Sequence, residues 1–154
     1  MTEVNNSIDF IPMLDEFNIK LKPKGYSMYP LFVPGRDEAI IAKADISKLK
    51  RGDVVLYRRT DSSNILVLHR IFKIKKGLFY MVGDNQSAIE GPIFPEQIKG
   101  ILIGIIRNNK EFSVNNPTYK ILSGLWLILR PVRKPISVTA AFFKRKLLRG
   151  KNKS

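Results

Sequence analysis

The chain contains no cysteine and a single histidine, His69. The absence of cysteine excludes a disulfide-stapled fold, a thiol nucleophile and a site in which cysteine binds zinc or an iron–sulfur cluster. A single histidine also excludes a histidine-rich metal centre, so we expect no metal ion. Any chemistry of His69 must therefore proceed without a second imidazole.

Long hydrophobic runs are also missing. The two longest, Ile101–Ile106 and Ile121–Leu129, are far shorter than the ~20 residues that a membrane-spanning helix requires. The first twenty residues include Asp9, Asp15 and Glu16, and they lack the basic start and apolar centre of a secretory signal. We therefore expect a chain that does not cross a membrane and is not exported by the usual route.

Acidic residues are absent from the last part of the chain. Between Phe112 and Ser154 there are ten Lys and Arg residues and no Asp or Glu. The preceding part has 17 basic and 13 acidic residues, so most of the formal net charge of +14 belongs to the last segment. Charge of one sign favours an anionic partner, either lipid headgroups or nucleic acid.

The 154 residues, 44% of them hydrophobic, suffice for one domain with an appendage. Short runs rich in Ile, Val, Leu and aromatic residues alternate with turn clusters, which is typical of β-structure. We predict a lead-in over residues 1–16, a mainly β domain over 17–115 and a basic tail over 117–154. The predicted strands are Glu38–Lys43, Asp53–Arg58, Ile65–Ile74, Leu78–Val82 and Ile98–Ile106.

The basic tail is predicted to form two amphipathic helices, Thr118–Leu129 and Ser137–Arg149. An apolar stripe beside basic side chains predicts peripheral binding to an anionic membrane, on its cytoplasmic face. The alternative is that the stripe packs on the β-domain and the charges are solvated. The residues predicted to touch lipid are Trp126, Arg130, Arg133, Lys134, Lys144, Arg145 and Lys146.

Ser27 is the candidate nucleophile, because Gly25 permits a tight loop around it and Pro30 ends that loop. Such a loop presents a hydroxyl and leaves backbone N–H groups free to bind an oxyanion. A serine needs a base, and His69 is the only side chain here whose ordinary pKa suits that task. Asp84, at the end of a predicted strand, is the candidate acid that orients the imidazole. Each of these residues alone is more commonly a turn or structural residue.

Four motifs, taken together, resemble the signal peptidase I family. Their order and spacing match over about residues 24–106, and a histidine stands where most bacterial members have a lysine base. This resembles the Ser–His branch found in archaea, the endoplasmic reticulum and some spore-forming bacteria. The resemblance implies a coiled antiparallel β-sheet domain of the signal-peptidase type, with the basic helical tail as a C-terminal appendage. The motifs are Ser27-Met28-Tyr29-Pro30, Gly52-Asp53-Val54-Val55, His69-Arg70-Ile71 and Gly83-Asp84-Asn85.

The same resemblance implies a serine endopeptidase that cleaves a signal or leader segment after a small residue, without a metal or organic cofactor. The acyl-enzyme would form on Ser27, with His69 as general base and Asp84 as the supporting acid. The family commonly has a second acid after the Gly-Asp-Asn motif. The other implied residues are Gly25, Met28 and Pro30 for loop and oxyanion support, Met28, Leu31 and Phe32 for the substrate groove, and Glu90 for the second acid.

Two other functions remain open. A catalytically silent peptide-binding module on a membrane would have the same fold, but the intact Ser27, His69 and Asp84 argue against it. A nucleic-acid binder related to self-cleaving repressors would share the β-fold, but we expect the 26 residues before Ser27 to be too few for a helix-turn-helix. We therefore expect a peptide or preprotein substrate and an anionic membrane as partners, and no specific nucleic acid.

Overall fold

A computed structural model describes residues 11–60 and 65–129. Within these ranges the fold is mainly β, with one antiparallel sheet of eight strands and one α-helix, and this coarse prediction is confirmed. The strands are β1 (Ile19–Leu21), β2 (Asp37–Lys43), β3 (Val54–Arg58), β4 (Leu66–Lys75), β5 (Leu78–Val82), β6 (Glu90–Ile93), β7 (Ile98–Arg107) and β8 (Lys110–Ser113), and the helix is α1 (Pro117–Ile128).

The sheet has the strand order β1-β2-β7-β3-β4-β5-β6, and β8 pairs with β7. Strand β7 is long enough to pair with β2 and β8 at one end and with β3 at the other. Register shifts interrupt the pairing of β2 with β7, of β3 with β7 and of β4 with β5. Such irregularities bend a strand locally and increase its twist.

Both faces of the central strands are buried, because side chains alternate across a strand. On β4, Leu66 and Leu68 belong to one core, whereas Val67 and Ile71 belong to the other. His69 lies on the Val67 face, and Arg70 follows it on the opposite face of the alternation. Consecutive residues of β4 therefore lie on opposite faces of the sheet, in two different environments.

The five predicted strands correspond to β2, β3, β4, β5 and β7, each within one residue at either end. Strands β1, β6 and β8 were not predicted, since they are only three or four residues long. Strand β6 also contains Gly91 and Pro92, which argue against a strand in a sequence. Leu14 of the predicted lead-in packs into the core.

The first predicted tail helix corresponds to α1, which begins one residue earlier than expected. Asn116 caps it by accepting a hydrogen bond from the Thr118 N–H at 2.8 Å. The second predicted helix, Ser137–Arg149, lies outside the described residues. Over the described ranges, every helix is too short or too polar to span a bilayer.

Asp37 joins the segment that follows Ser27 to strand β7. Its carboxylate is fully buried and accepts hydrogen bonds from the Val33 N–H at 2.8 Å, from Arg36 at 2.7 Å and from Arg107 at 2.8 Å. Burial alone would raise the pKa of Asp37, but hydrogen bonds from the two arginines hold it well below its usual range. The carboxylate is therefore ionised and fully paired.

Replacing the Asp37 carboxylate should destabilise the folded protein. We expect Asp37→Ala to lower the free energy of unfolding by about 3–5 kcal/mol, because Arg107 and the Val33 N–H lose a buried acceptor. The matched control is Asp45→Ala, which removes an exposed cap on the Ser47 N–H and should cost about 1 kcal/mol. Urea denaturation measures both, and equal losses would contradict the role assigned to Asp37.

Candidate active site

Ser27 lies in the turn-rich segment between β1 and β2, and its Oγ is 3.0 Å from Nε2 of His69 on β4. Both residues are buried, with 3% of Ser27 and 1% of His69 exposed. Gly25 adopts a φ of 78°, which favours glycine and turns the chain just before the serine. The structure thus brings together the two residues that the sequence predicts as nucleophile and base.

The other imidazole nitrogen of His69 faces Tyr57 and Glu90. The Tyr57 hydroxyl on β3 lies 3.2 Å from Nδ1, and it also forms a hydrogen bond with the Glu90 carboxylate. Glu90 Oε2 is 3.8 Å from the same Nδ1. Arg59 fixes this carboxylate with two hydrogen bonds of 2.5 and 2.6 Å. Glu90, the predicted second acid, therefore reaches the imidazole through Tyr57.

One arrangement of protons satisfies this set of contacts. Nε2 of His69 accepts the Ser27 hydroxyl proton, so the imidazole proton resides on Nδ1 and is donated to the Tyr57 oxygen. The Tyr57 hydroxyl then donates to Glu90, which is an acceptor because it is ionised. The tautomer that a general base requires is therefore the one that the surroundings stabilise.

The surroundings of His69, Tyr57 and Glu90 keep the imidazole neutral, the phenol protonated and the carboxylate ionised. Burial lowers the pKa of His69 to about 4, although the nearby Glu90 opposes this shift, so the imidazole is neutral at pH 7. Burial and the neighbouring Glu90 raise the pKa of Tyr57 above its ordinary value, so the phenol keeps its proton. Burial would also raise the pKa of Glu90, but hydrogen bonds from Arg59 and Tyr57 bring it below the ordinary value.

Asp84 does not take the position predicted for it beside the imidazole. Its two carboxylate oxygens each accept a hydrogen bond of 2.7 Å from the Arg70 guanidinium. Arg70 projects from the face of β4 opposite to His69 and is 1% exposed, so its buried charge requires a carboxylate there. The contacts expected from Asp84 at Nδ1 come instead from Tyr57 and Glu90.

The Gly83-Asp84-Asn85 turn contacts the backbone of the serine loop. The Asn85 N–H donates a 2.7 Å hydrogen bond to the carbonyl oxygen of Ser27. A Cβ atom added at Gly83 would lie 2.7 Å from that same oxygen, which is closer than real Cβ contacts. The turn can approach the serine loop only because residue 83 is glycine.

The predicted substrate groove is only partly present at the surface. Met28 and Phe32 are buried in the core, at 0% and 1% exposure, because the turn after Ser27 points them inward. Leu31 and Pro30 instead line a cavity of about 580 Å³ beneath α1. A second, open cavity of about 830 Å³ is lined by residues 85–93, which include Glu90.

Helix α1 turns Trp126 toward the β-domain rather than outward. The indole N–H donates a 3.2 Å hydrogen bond to the Asp84 carbonyl oxygen, and the side chain is half-buried. The remaining residues that were predicted to touch lipid lie outside the described residues. The exposed apolar side chains of the helix fall into two sets. Leu122, Leu125 and Leu129 line the cavity of about 580 Å³, whereas Ile121 and Ile128 lie away from it, and we call these two residues the outer face of α1.

Sequence analysis missed Tyr57, although a signal for it exists. In the β3–β4 register His69 lies opposite Val55, so Tyr57, two residues along β3, is on the same face as the imidazole. The pairing of β3 with β4 was needed to see this. Among the described residues, no group of three histidine or acidic side chains could hold a metal ion.

The low pKa of His69 should appear in the pH dependence of stability. Between pH 6.5 and about 4 the unfolded chain binds a proton that the folded chain does not, so stability falls as the pH falls. From pH 7 to pH 5 we expect wild type to lose about 2 kcal/mol more free energy of unfolding than His69→Gln. The check is urea denaturation at both pH values.

The lowered pKa of His69 can also be measured directly in the folded protein. Because the chain has one histidine, its imidazole gives a single set of NMR signals. We expect these signals to titrate with a midpoint of about 4. A midpoint at the ordinary histidine value would contradict the buried, neutral imidazole.

Comparison of the chain with models of protein families, with curated proteins and with solved structures finds no match.

Proposed function

We propose that this protein is a serine endopeptidase that cleaves a signal or leader segment after a small residue. The observation that carries the proposal is the 3.0 Å contact between Ser27 Oγ and Nε2 of His69. An activated serine nucleophile has its hydroxyl within hydrogen-bond reach of a neutral imidazole, and a further group at the second imidazole nitrogen orients the ring. Tyr57 and Glu90 take that second position here.

The proposed reaction transfers protons through one imidazole nitrogen, Nε2 of His69. As Ser27 Oγ bonds to the scissile carbonyl carbon, Nε2 of His69 takes the hydroxyl proton, and it then gives that proton to the leaving amine. Water hydrolyses the resulting ester through the same proton transfers in reverse order. Tyr57 and Glu90 stabilise the transient imidazolium, because the Glu90 carboxylate lies 3.8 Å from Nδ1. The backbone N–H groups of the serine loop are the proposed oxyanion donors.

The substrate class rests on the motifs and on the space at the serine. The four motifs resemble those of signal peptidase I, and we propose that the coiled sheet is of that type, with the tail as a C-terminal appendage. Ser27 is only 3% exposed, and Asn85 lies directly against its backbone. Little room remains beside the hydroxyl, which favours a small residue at the cleavage position.

We also propose that the protein binds peripherally to an anionic membrane, on its cytoplasmic face. The outer face of α1 presents large apolar side chains, with Ile121 68% and Ile128 69% exposed. The chain from Phe112 to Ser154 carries ten basic residues and no acid. An apolar face beside a purely basic segment is the chemistry that anionic bilayers bind.

The peptidase proposal is tested by cleavage of a pool of leader-like peptides, followed by mass spectrometry. We expect wild type to cleave at one class of bond, and Ser27→Ala and His69→Ala to lose at least about 1000-fold in rate, since each removes half of the proton-transfer pair. Ser47→Ala, an exposed serine in another loop, is the matched control and should cleave at the wild-type rate.

Two outcomes of that assay would reject the proposal. Undiminished cleavage by Ser27→Ala would show that another group, or a contaminant, does the chemistry. Retention of intact peptides by wild type and by Ser27→Ala alike would identify a catalytically silent binding module.

Membrane binding is tested by sedimentation with vesicles of phosphatidylcholine, with and without phosphatidylserine. We expect binding that requires phosphatidylserine and weakens with salt, and a loss of about tenfold in Ile121→Ser/Ile128→Ser, because apolar burial is lost. Ile74→Ser, an exposed apolar residue on β4, is the control and should bind like wild type. Salt-dependent binding to random DNA, without binding to vesicles, would instead support a nucleic-acid binder.

A further inference from the structure

Helix α1 reaches the Arg70–Asp84 pair with three side chains on one face. Arg70 Nη1 donates a 2.5 Å hydrogen bond to Ser123 Oγ, and the Tyr119 hydroxyl also forms a hydrogen bond with Arg70. Trp126 donates to the carbonyl oxygen of Asp84 at 3.2 Å. Residues 119, 123 and 126 are spaced by four and three, so a helix places them on the same side.

The Arg70–Asp84 pair leads directly to the serine. Asp84 stands between Gly83 and Asn85, and the Asn85 N–H donates to the Ser27 carbonyl oxygen at 2.7 Å. Arg70 is the next residue after His69 and also donates to the Gly52 carbonyl oxygen at 2.7 Å. A continuous series of contacts therefore joins α1 to both members of the Ser27–His69 pair.

Helix α1 is held on the domain by these polar contacts and by Tyr119, which packs against the core. None of its residues is fully buried, and its outer face remains exposed. The cavity of about 580 Å³ separates much of the helix from the sheet and from Leu31. Since no residue of the helix is fully buried, the hydrogen bonds of Ser123 and Trp126 add to the limited apolar contact that seats the helix.

We propose that Ser123 and Trp126 are positioning residues: by holding the Arg70–Asp84 pair, they keep the Asn85 turn against the Ser27 loop and so keep Ser27 Oγ within reach of His69. This inference rests on the proposed peptidase function. Full peptidase activity then requires that α1 stays bound to the β-domain. This requirement is separate from any contact between the outer face of α1 and lipid.

The test uses Trp126→Phe, which keeps an aromatic ring but removes the N–H donor, and Ser123→Ala, which removes the partner of Arg70. With a soluble leader-like peptide and no vesicles, we expect kcat to fall about tenfold in each variant and KM to change by less than about twofold, since a positioning contact is lost and not a substrate contact. Lys120→Ala, an exposed residue of the same helix, should leave both constants unchanged.

A second readout does not depend on activity. If the serine loop loosens, water reaches the imidazole, so the NMR titration midpoint of His69 should rise from about 4 toward the ordinary value in Trp126→Phe and Ser123→Ala, but not in Lys120→Ala. Urea denaturation checks that both variants remain folded, since Ser123→Ala removes one hydrogen-bond partner of buried Arg70.

The outcomes separate the two proposals. If wild type cleaves no peptide while the midpoint still rises in the two variants, the peptidase function is wrong but α1 does position the Ser27–His69 pair. If wild type cleaves and both variants retain its kcat and its midpoint, the positioning role of α1 is overturned.

Discussion

The burial of one guanidinium group organises much of this molecule. Arg70 is 1% exposed, and a charge taken so far from water must be paired and hydrogen-bonded on all sides. The groups that meet this need come from three distant parts of the chain: the Gly52 carbonyl, the Asp84 carboxylate and the Ser123 hydroxyl. The pairing of the Arg70 charge thus brings together two loops and the only α-helix of the described residues.

The alternation of β4 keeps this structural charge apart from the proposed chemistry. His69 faces Tyr57 and Glu90 on one side of the strand, and Arg70 faces Asp84 on the other. Were the imidazole and the guanidinium on one face, the positive charge of Arg70 would disfavour the imidazolium that forms during proton transfer. The Glu90 carboxylate, fixed by Arg59, instead lies on the imidazole side.

The sequence is informative where one strand or one loop determines the outcome. Strand β4 was predicted within a residue at each end. Ser27 was predicted as the nucleophile from its loop, and His69 as the base because no other side chain has a suitable ordinary pKa. The partner of the imidazole was not predictable in this way, because it depends on how β3 and β6 are placed around β4. Asp84 was predicted to orient His69 because it lies at the end of a strand. In the structure its carboxylate instead pairs with buried Arg70, and the burial of Arg70 is visible only in three dimensions.

The contact between the Asn85 N–H and Ser27 involves the backbone carbonyl of the serine and not its hydroxyl. The identity of the side chain at position 27 is therefore uncoupled from the hydrogen bond that holds the loop. A chain that lacks the hydroxyl therefore keeps this hydrogen bond while losing the proposed nucleophile. Under the proposed peptidase function, this variant would bind its substrates without cleaving them, and once immobilised it would isolate them from a mixture of peptides.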